Sequence, residues 1–193
     1  HLLDWDIQYC SGCVACSRGL VMGKGMICSR QDDFKAFYEK VVEADGVLFV
    51  DPIFESGATG LYHSITDRMG PGHDTGMMKM LDGKLKEAGK EGLNPRYFRQ
   101  KALSFVGIGG SDWAVRCETD HAMFALSPGW KVVNNEFFSW CKDVIMQDDK
   151  VERMKEIGRN LADAAQQIID EDMQIEGSEN TSLWKGKEGA CPH

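Results

Sequence analysis

The sequence predicts one α/β domain built around a parallel β-sheet. Two apolar runs, at residues 47–50 and 102–108, are continuous rather than alternating, as in strands that are buried on both faces of a sheet. Amphipathic helical patterns precede the first run and follow the last predicted strand, with apolar residues at three- and four-residue spacing. Helices that alternate with buried strands are the signature of an α/β sheet.

In chain order, the pattern begins with a short strand at residues 2–7 and a cysteine-rich loop at residues 10–28. An amphipathic helix then starts at Asp32 or Asp33, because either side chain can cap its first turn. The later predicted elements are the strand 47–50, a helix that holds Leu61 and Ile65, the strand 102–108, a helix over 115–126, a strand within 130–138 and a helix over 151–169. Together these elements place the domain at residues 1–169.

Two stretches are expected to lie outside this framework. Residues 69–100 are rich in glycine and charge, which predicts a surface insertion with one short helix and an exposed His73. Residues 170–193 are polar and predict a C-terminal tail. Cys117 and His121 stand alone in the sequence, so we expect them to be packing or surface residues.

Composition limits the classes of partner. The net charge is −8 and the basic residues are dispersed, which opposes binding to nucleic-acid phosphates. Apolar residues make up 42% of the chain, but no apolar run approaches the roughly 18 residues that cross a bilayer. The acidic start also lacks the positive charge of a signal peptide. We therefore expect a soluble, cytoplasmic protein that binds neither nucleic acid nor membrane.

Cysteine spacing gives the strongest functional signal. Two residues separate Cys10 from Cys13 and Cys13 from Cys16, and Cys28 follows after eleven more. Thiolates at this spacing can wrap one corner of an iron–sulfur cube while the fourth ligand arrives from farther along the chain. Zinc is the alternative metal, although structural zinc sites usually use two separate Cys-x-x-Cys pairs. Four clustered cysteines among seven also fit a reducing cytosol better than a disulfide scaffold.

Two loops follow the buried strands at the edge where open α/β sheets bind ligands. Their small residues let backbone amides come close to a planar ring or an anion. The first loop consists of Pro52, Ile53, Phe54, Glu55, Ser56 and Gly57, and the second of Gly109, Gly110, Ser111 and Asp112. We predict that both loops bind a cofactor.

These motifs together resemble the iron–sulfur flavoproteins of the flavodoxin-like NADPH-dependent FMN reductase superfamily. The resemblance covers most of residues 2–169. It rests on the run Cys10-x-x-Cys13-x-x-Cys16…Cys28, the following Asp32-Asp33-Phe34, the helix end Glu43-Ala44-Asp45-Gly46, and the blocks Asp51-Pro52 and Ile65-Thr66-Asp67-Arg68.

The resemblance implies a flavodoxin-like, doubly wound parallel sheet in a three-layer α/β/α arrangement. It places FMN at the carboxyl ends of the strands, where residues 52–57 would line the isoalloxazine ring and residues 109–112 would close its other side. It also implies a homo-oligomer, either a dimer or a tetramer, with one [4Fe–4S] cluster in each subunit.

The cluster ligands implied by the resemblance are Cys10, Cys13, Cys16 and Cys28. The gap before Cys28 is longer than in the family, which leaves Cys117 and Cys191 as alternative fourth ligands. The strand and loop with which the family grips the FMN phosphate do not precede Leu2 in this sequence.

The leading hypothesis is therefore an FMN-dependent oxidoreductase linked to NAD(P)H or ferredoxin. It would pass electrons between a [4Fe–4S] cluster, FMN and a small acceptor or redox partner. No acid–base pair stands out, which is compatible with chemistry that the cofactors themselves perform. The alternative is a non-catalytic interaction module that binds zinc or a cluster on a flavodoxin-like shell.

Overall fold

A computed structural model describes residues 1–23 and 28–187 of the chain. These residues form two compact units. The helical unit consists of His1–Glu43 and Gly60–Phe98, and the sheet unit consists of Ala44–Thr59 and the chain from Arg99 onward. Within the described ranges, no helix combines the length and the apolar character that a membrane span requires.

The helical unit contains the predicted amphipathic helix and an additional helix in the cysteine-rich region. Its α-helices are α1 (Ala15–Val21), α2 (Phe34–Glu43), α3 (Gly60–Met69) and α4 (Thr75–Glu87). The buried residues of α2, among them Phe34, Tyr38 and Val41, follow the three- and four-residue spacing of the sequence. Part of the stretch between Cys16 and Cys28, which we expected to be a loop, is helical in α1 because Leu20 anchors it in an apolar core.

The stretch 69–100 is more ordered than its composition indicated. It carries the 13-residue helix α4, whose first turn is capped by Asp74 through a 2.9 Å hydrogen bond from the Met77 amide to Oδ1. Met78 and Leu81 of α4 are buried in the same core as Leu20. The prediction of an exposed His73 is wrong, because the 3₁₀ turn Gly70–His73 packs with α4 and leaves this residue only 8% exposed.

The strand predicted at residues 2–7 is wrong. Leu2–Asp4 forms a 3₁₀ turn, and the following residues are irregular. Side-chain carboxylates take the place of a neighbouring strand: the Asp6 amide donates to Asp33 Oδ2 over 2.8 Å, and the Gln8 amide donates to Asp32 Oδ2 over 3.2 Å. A strand pattern this short is overridden when such acceptors are available to the backbone.

The sheet unit contains the three predicted strands. They are β1 (Gly46–Pro52), β2 (Ala102–Ile108) and β3 (Lys131–Phe138), and they form a parallel sheet in the order β1-β2-β3. The register pairs Pro52 with Ile108 and Ile108 with Phe138. The carboxyl ends of all three strands therefore meet at one edge.

Helices cover both faces of this sheet. On one face, the Phe105 ring stacks on Phe49 with a centroid distance of 5.5 Å. The same Phe105 ring stacks at 5.0 Å on His121 of the helix α5 (Cys117–Leu126). On the other face, the long helix α6 (Asp148–Asp170) packs Ile157 against Val106 and Ile168 against Ala102. The α/β fold with three layers is thus confirmed within the sheet unit.

The chain beyond α6 continues to pack on the sheet unit. Met173 and Leu183 are buried in the same apolar cluster as Ala102 and Ile168. The Lys185 amide donates a 2.7 Å hydrogen bond to the Val133 carbonyl. The tail was predicted from the polar composition of this stretch. The burial of these two apolar residues could not be inferred from that composition, because they are isolated in the sequence.

The first prediction concerns the aromatic core of the sheet unit. Phe105→Ala should lower the free energy of unfolding by about 3–5 kcal/mol, because the ring is fully buried and its removal leaves a cavity. Urea unfolding followed by circular dichroism measures the change. Ile145→Ala is the control, since Ile145 is 81% exposed and should cost no more than about 0.5 kcal/mol. Equal losses in the two variants would contradict this account of the core.

Candidate functional site

The first predicted loop is a tight turn with an uncommon backbone. The Phe54 amide donates to the Gly57 carbonyl over 3.3 Å, and the Gly57 amide donates to the Phe54 carbonyl over 3.1 Å. The two residues between them, Glu55 and Ser56, have φ angles of 48° and 68°. A turn with two left-handed central residues ordinarily uses glycine or asparagine, so this turn is strained.

A buried carboxylate at the end of β1 holds the loop in place. Asp51 Oδ2 accepts a 2.8 Å hydrogen bond from the Thr59 amide, and Asp51 Oδ1 accepts one of 2.7 Å from the Thr59 hydroxyl. The turn is also held from α5, because the Arg116 amide donates to the Ser56 carbonyl over 3.0 Å. Asp120 Oδ2 accepts a longer bond of 3.4 Å from the Ala58 amide.

Asp51 is also linked to a buried histidine and cysteine on α5. His121 Nε2 lies 3.8 Å from Asp51 Oδ2, and His121 Nδ1 lies 3.7 Å from Cys117 Sγ. Burial would raise the pKa of Asp51, but hydrogen bonds from His121 and Thr59 outweigh it, and the pKa of Asp51 lies below its ordinary value. Asp51 therefore remains an anion that supports the loop at neutral pH.

The cysteine and histidine of this group do not form a nucleophilic pair. Burial, together with the negative charges of Asp51, Asp120 and Glu118, raises the pKa of Cys117 to about 12. A thiol with this pKa is protonated at neutral pH, and Cys117 is fully buried. Cys117 and His121 are buried packing residues, as expected from the sequence, and His121 also faces Asp51. Their four-residue spacing on a helix was the one signal that they share a face.

The second predicted loop joins the first at the carboxyl edge of the sheet. The Ile53 amide donates to the Ile108 carbonyl over 2.9 Å, which ties the start of the first loop to the end of β2. The Gly109 carbonyl accepts a 2.9 Å bond from the Cys141 amide. A Cβ atom on Gly109 would stand 2.8 Å from the Phe137 ring, so glycine is required for this close approach. The structure thus brings the two predicted cofactor loops together.

Aromatic side chains beside these loops are open to solvent. Phe54 is 66% exposed and Trp113, which directly follows the second loop, is 75% exposed. Trp140, which lies just beyond β3, is 67% exposed and has a left-handed backbone with a φ of 54°. Exposed aromatic rings at a strained edge are typical of a surface that receives a ligand.

The four cysteines of the predicted cluster site are free thiols in the helical unit. Cys10 and Cys13 are exposed, and Cys16 and Cys28 are half-buried. The Ala15 amide, followed by the Ser11 hydroxyl, hydrogen-bonds Cys13 and holds the pKa of its thiol below the ordinary value. In the part of the chain that the structure describes, no three Cys, His, Asp or Glu side chains are grouped as a metal site. The prediction of the ligand set therefore stays a prediction.

The alternative fourth ligands have different outcomes. Cys117 is buried in the sheet unit with a raised pKa, and its protonated thiol is a poor metal ligand. Cys191 lies outside the described residues.

A buried ion pair lies directly behind the cysteine segment in the helical unit. Arg68 of α3 makes a two-pronged contact with Asp32, with Nη1–Oδ2 and Nη2–Oδ1 distances of 2.5 and 2.8 Å. Both side chains are almost fully buried. The hydrogen bonds from Arg68 are the main cause that lowers the pKa of Asp32 to about 2. The sequence pointed to Asp32 as a helix cap and as part of the family motif, and to Arg68 only as part of that motif.

Comparison with known proteins identifies a family whose members are similar to this chain. The model of the family described as NADPH-dependent FMN reductase matches residues 13–144 of the chain. An iron-sulfur flavoprotein of Archaeoglobus fulgidus is 28% identical over 114 residues, which cover 59% of this chain and 46% of that protein. An iron-sulfur flavoprotein of Clostridioides difficile is 38% identical over 68 residues, which cover 35% of this chain and 28% of that protein.

A solved structure supports the same relationship over a longer stretch. The structure described as flavone reductase is 37% identical to this chain and superimposes with a TM-score of 0.74. The match covers 94% of this chain and 62% of that one. The chain thus spans less than half the length of the curated relatives it matches and less than two thirds of the solved structure. The flavodoxin-like fold predicted from the sequence is confirmed.

The second prediction uses the ion pair of Asp32. Asp32→Asn should lower the free energy of unfolding by about 3–5 kcal/mol at pH 7, because Arg68 is left buried without its counter-charge. The folded-state pKa of about 2 lies below the unfolded value of roughly 3.9, so the carboxylate stabilises the fold above about pH 4. That stabilisation is lost as the pH falls through the folded pKa.

The measurement is urea unfolding of both proteins at several pH values from about 7 down to 2.5. The difference in free energy should shrink by roughly 1.5–2 kcal/mol at the acid end, where part of the carboxylate is still ionised in the folded state. Asp4→Asn is the control, since Asp4 is exposed and should cost little at any pH. A difference that stays constant with pH would contradict the lowered pKa of Asp32.

Proposed function

The chain belongs to the NADPH-dependent FMN reductase family, and on this premise we propose that it is an iron–sulfur flavoprotein oxidoreductase. It passes electrons between a [4Fe–4S] cluster, FMN and a small acceptor or redox partner. The observation that carries the proposal is the carboxyl edge of the sheet, where the bond from Ile53 to Ile108 ties the first predicted loop to the end of β2, from which the second loop begins. Open α/β sheets bind their ligands at this edge.

The residues of the edge suit a flavin. The exposed ring of Phe54 offers an apolar surface to a planar ring system. Gly109 and Gly110 let the second loop pack closely against Phe137 and Lys142, which fixes its position at the edge. Residues 52–57 line one side of the isoalloxazine, and residues 109–112 close the other. When bound, FMN supplies transfer of a hydride or of single electrons. The chain binds and orients the ring, while Asp51 and Thr59 keep the loop in shape.

The cysteine segment suits an iron–sulfur cluster by the chemistry of its donors. Cys10, Cys13, Cys16 and Cys28 supply four free thiols, which is the usual ligand number for a [4Fe–4S] cluster. The structure also leaves Nε of the buried Arg68 without a hydrogen-bond partner among the described residues. An anionic cluster with its thiolate ligands provides the kind of acceptor that this donor lacks.

The remaining parts of the proposal concern partners. The electron donor is NAD(P)H or a reduced carrier such as ferredoxin, and the acceptor is a small molecule or a redox protein. The protein acts in the cytoplasm as a homo-oligomer, a dimer or tetramer. The family, the relatives named iron-sulfur flavoprotein and the structural likeness to flavone reductase support a redox role, and with it an electron donor and an electron acceptor.

The third prediction tests the cluster. The full-length protein, purified anaerobically, should contain about four irons and four sulfides per chain together with FMN. Cys28→Ser should lose most of the iron, because serine supplies no thiolate ligand. Cys141→Ala is the control, since Cys141 is buried in the sheet unit and is not among the proposed ligands.

Three outcomes separate the readings of this experiment. Four irons retained in Cys28→Ser, with an unchanged spectrum, would show that Cys28 is not a ligand. Zinc in place of iron, without flavin, would favour the non-catalytic interaction module. Loss of iron in Cys28→Ser alone supports the proposed ligand set.

The fourth prediction tests the flavin loop. Gly57→Val should weaken FMN binding by the full-length protein at least about ten-fold, which corresponds to about 1.4 kcal/mol. A Cβ atom at Gly57 would stand 2.8 Å from Arg116 Nη2 and 2.9 Å from Asp120 Oδ2, so either the turn or these two side chains that lie against it must shift. Quenching of flavin fluorescence measures the affinity, and circular dichroism checks the fold.

Gly83→Val is the matched control, because a Cβ atom at Gly83 meets nothing within 4 Å. It should bind FMN as the unchanged protein does. Equal FMN affinity in Gly57→Val and Gly83→Val would refute the placement of the flavin at this loop.

A further inference from the structure

The guanidinium group of Arg68 is held from several sides. It forms the buried ion pair with Asp32, and it lies over the Phe34 ring with a distance of 4.3 Å from Cζ to the ring centroid. An arginine that is both paired and stacked has one fixed orientation, which a lysine cannot reproduce. The side chain of Arg68 is therefore a rigid, permanent positive charge inside the helical unit.

This one group contacts both ends of the cysteine segment. Arg68 Nη1 donates a 2.9 Å hydrogen bond to the Gln8 carbonyl, two residues before Cys10. The thiol of Cys28 lies near enough to this guanidinium group to interact with its charge. The Gln8 amide is held at the same point, because it donates to Asp32 Oδ2 over 3.2 Å. The Asp32–Arg68 pair thus fixes the backbone that leads into Cys10 and places a positive charge beside the thiol of Cys28.

One hydrogen-bond donor of Arg68 remains unpaired among the described residues. Its Nε is buried and has no hydrogen-bond partner within residues 1–23 and 28–187. A buried N–H without an acceptor costs free energy, so its presence needs an explanation. The ion pair with Asp32 does not explain the unpartnered Nε, since both oxygens of Asp32 already bond the Nη atoms.

We propose that Arg68 is a positioning residue of the cysteine site, which fixes the backbone before Cys10, places its charge beside Cys28 and raises the reduction potential of the cluster. This inference rests on the proposed function. Four thiolates are anionic, and one-electron reduction of the cluster adds a further negative charge. A buried cation that donates hydrogen bonds to sulfur stabilises the reduced state more than the oxidised state. No proton or bond is transferred in this step.

The experiment compares the full-length protein with Arg68→Gln and Arg68→Lys. Iron per chain is measured first, and the midpoint potential of the cluster is then determined by redox titration. Arg68→Gln should lower the midpoint potential, because the charge is lost and a single amide group replaces the fork of guanidinium donors. Arg68→Lys keeps the charge but not the fork of donors, so its potential should fall between the two. A residue with a purely structural role would not give this order.

Arg153→Gln is the matched control. Arg153 of α6 pairs with the buried Glu136 in the sheet unit, so it tests the loss of a comparable arginine away from the cysteines. Its midpoint potential should equal that of the unchanged protein. Equal potentials in the unchanged protein and in both Arg68 variants would overturn the inference and leave the proposed function intact. A full-length protein that binds no iron would overturn both.

Hydrogen exchange of the iron-free protein gives a readout that does not need the cluster. Arg68→Gln should speed exchange of the Gln8 amide by roughly ten-fold, because Asp32 is no longer held in place to accept from it. The rate at the Met77 amide, which Asp74 caps, should not change. If both Arg68 variants lose iron, faster exchange at Gln8 supports the positioning role and an unchanged rate overturns it.

Discussion

Each unit of the chain depends on one buried carboxylate that remains ionised. In the helical unit, Asp32 accepts hydrogen bonds from Arg68 and from the Gln8 amide, and it thereby fixes the approach to the first cysteine. In the sheet unit, Asp51 accepts from Thr59 and faces His121, and it thereby fixes the loop after β1. A buried carboxylate is tolerated only when it is paired and hydrogen-bonded in this way, so removing one partner has a large effect.

The strands could be predicted from the sequence because parallel strands buried on both faces leave an unbroken apolar run. β1 and β2 both appear in this form, and the loops after them had to share an edge. Helix α6 could also be predicted from the sequence, since its apolar spacing continues over many turns. The prediction of a strand at residues 2–7 failed because the backbone there donates to side-chain carboxylates and does not need a neighbouring strand. His73 and Leu183 were missed because single residues carry no period from which burial can be inferred.

The supporting groups of the candidate site could not be predicted in the same way. Their partners are far apart in the chain: Gln8 and Arg68 are 60 residues apart, and Asp51 and His121 are 70 apart, so only the folded structure brings them together. Local patterns report helical or strand faces, not which faces meet. The loops were found because they follow from topology, whereas the residues that hold the loops follow from tertiary packing.

Backbone strain is concentrated where the candidate site lies. Among the described residues other than glycine, positive φ angles occur at Val14, Glu55, Ser56, Trp140 and Asp172. Val14 lies between two proposed cluster ligands, Glu55 and Ser56 form the turn of the first loop, and Trp140 follows the end of β3. Such conformations cost roughly 1–3 kcal/mol each and persist only where their surroundings over-determine them. Asp51 provides that constraint at the turn through Thr59, and Asp32 holds the backbone that leads into the cysteine segment at Gln8. Strain and support therefore occur together at the cysteine segment and at the carboxyl edge, as expected where a protein holds its backbone ready for a ligand.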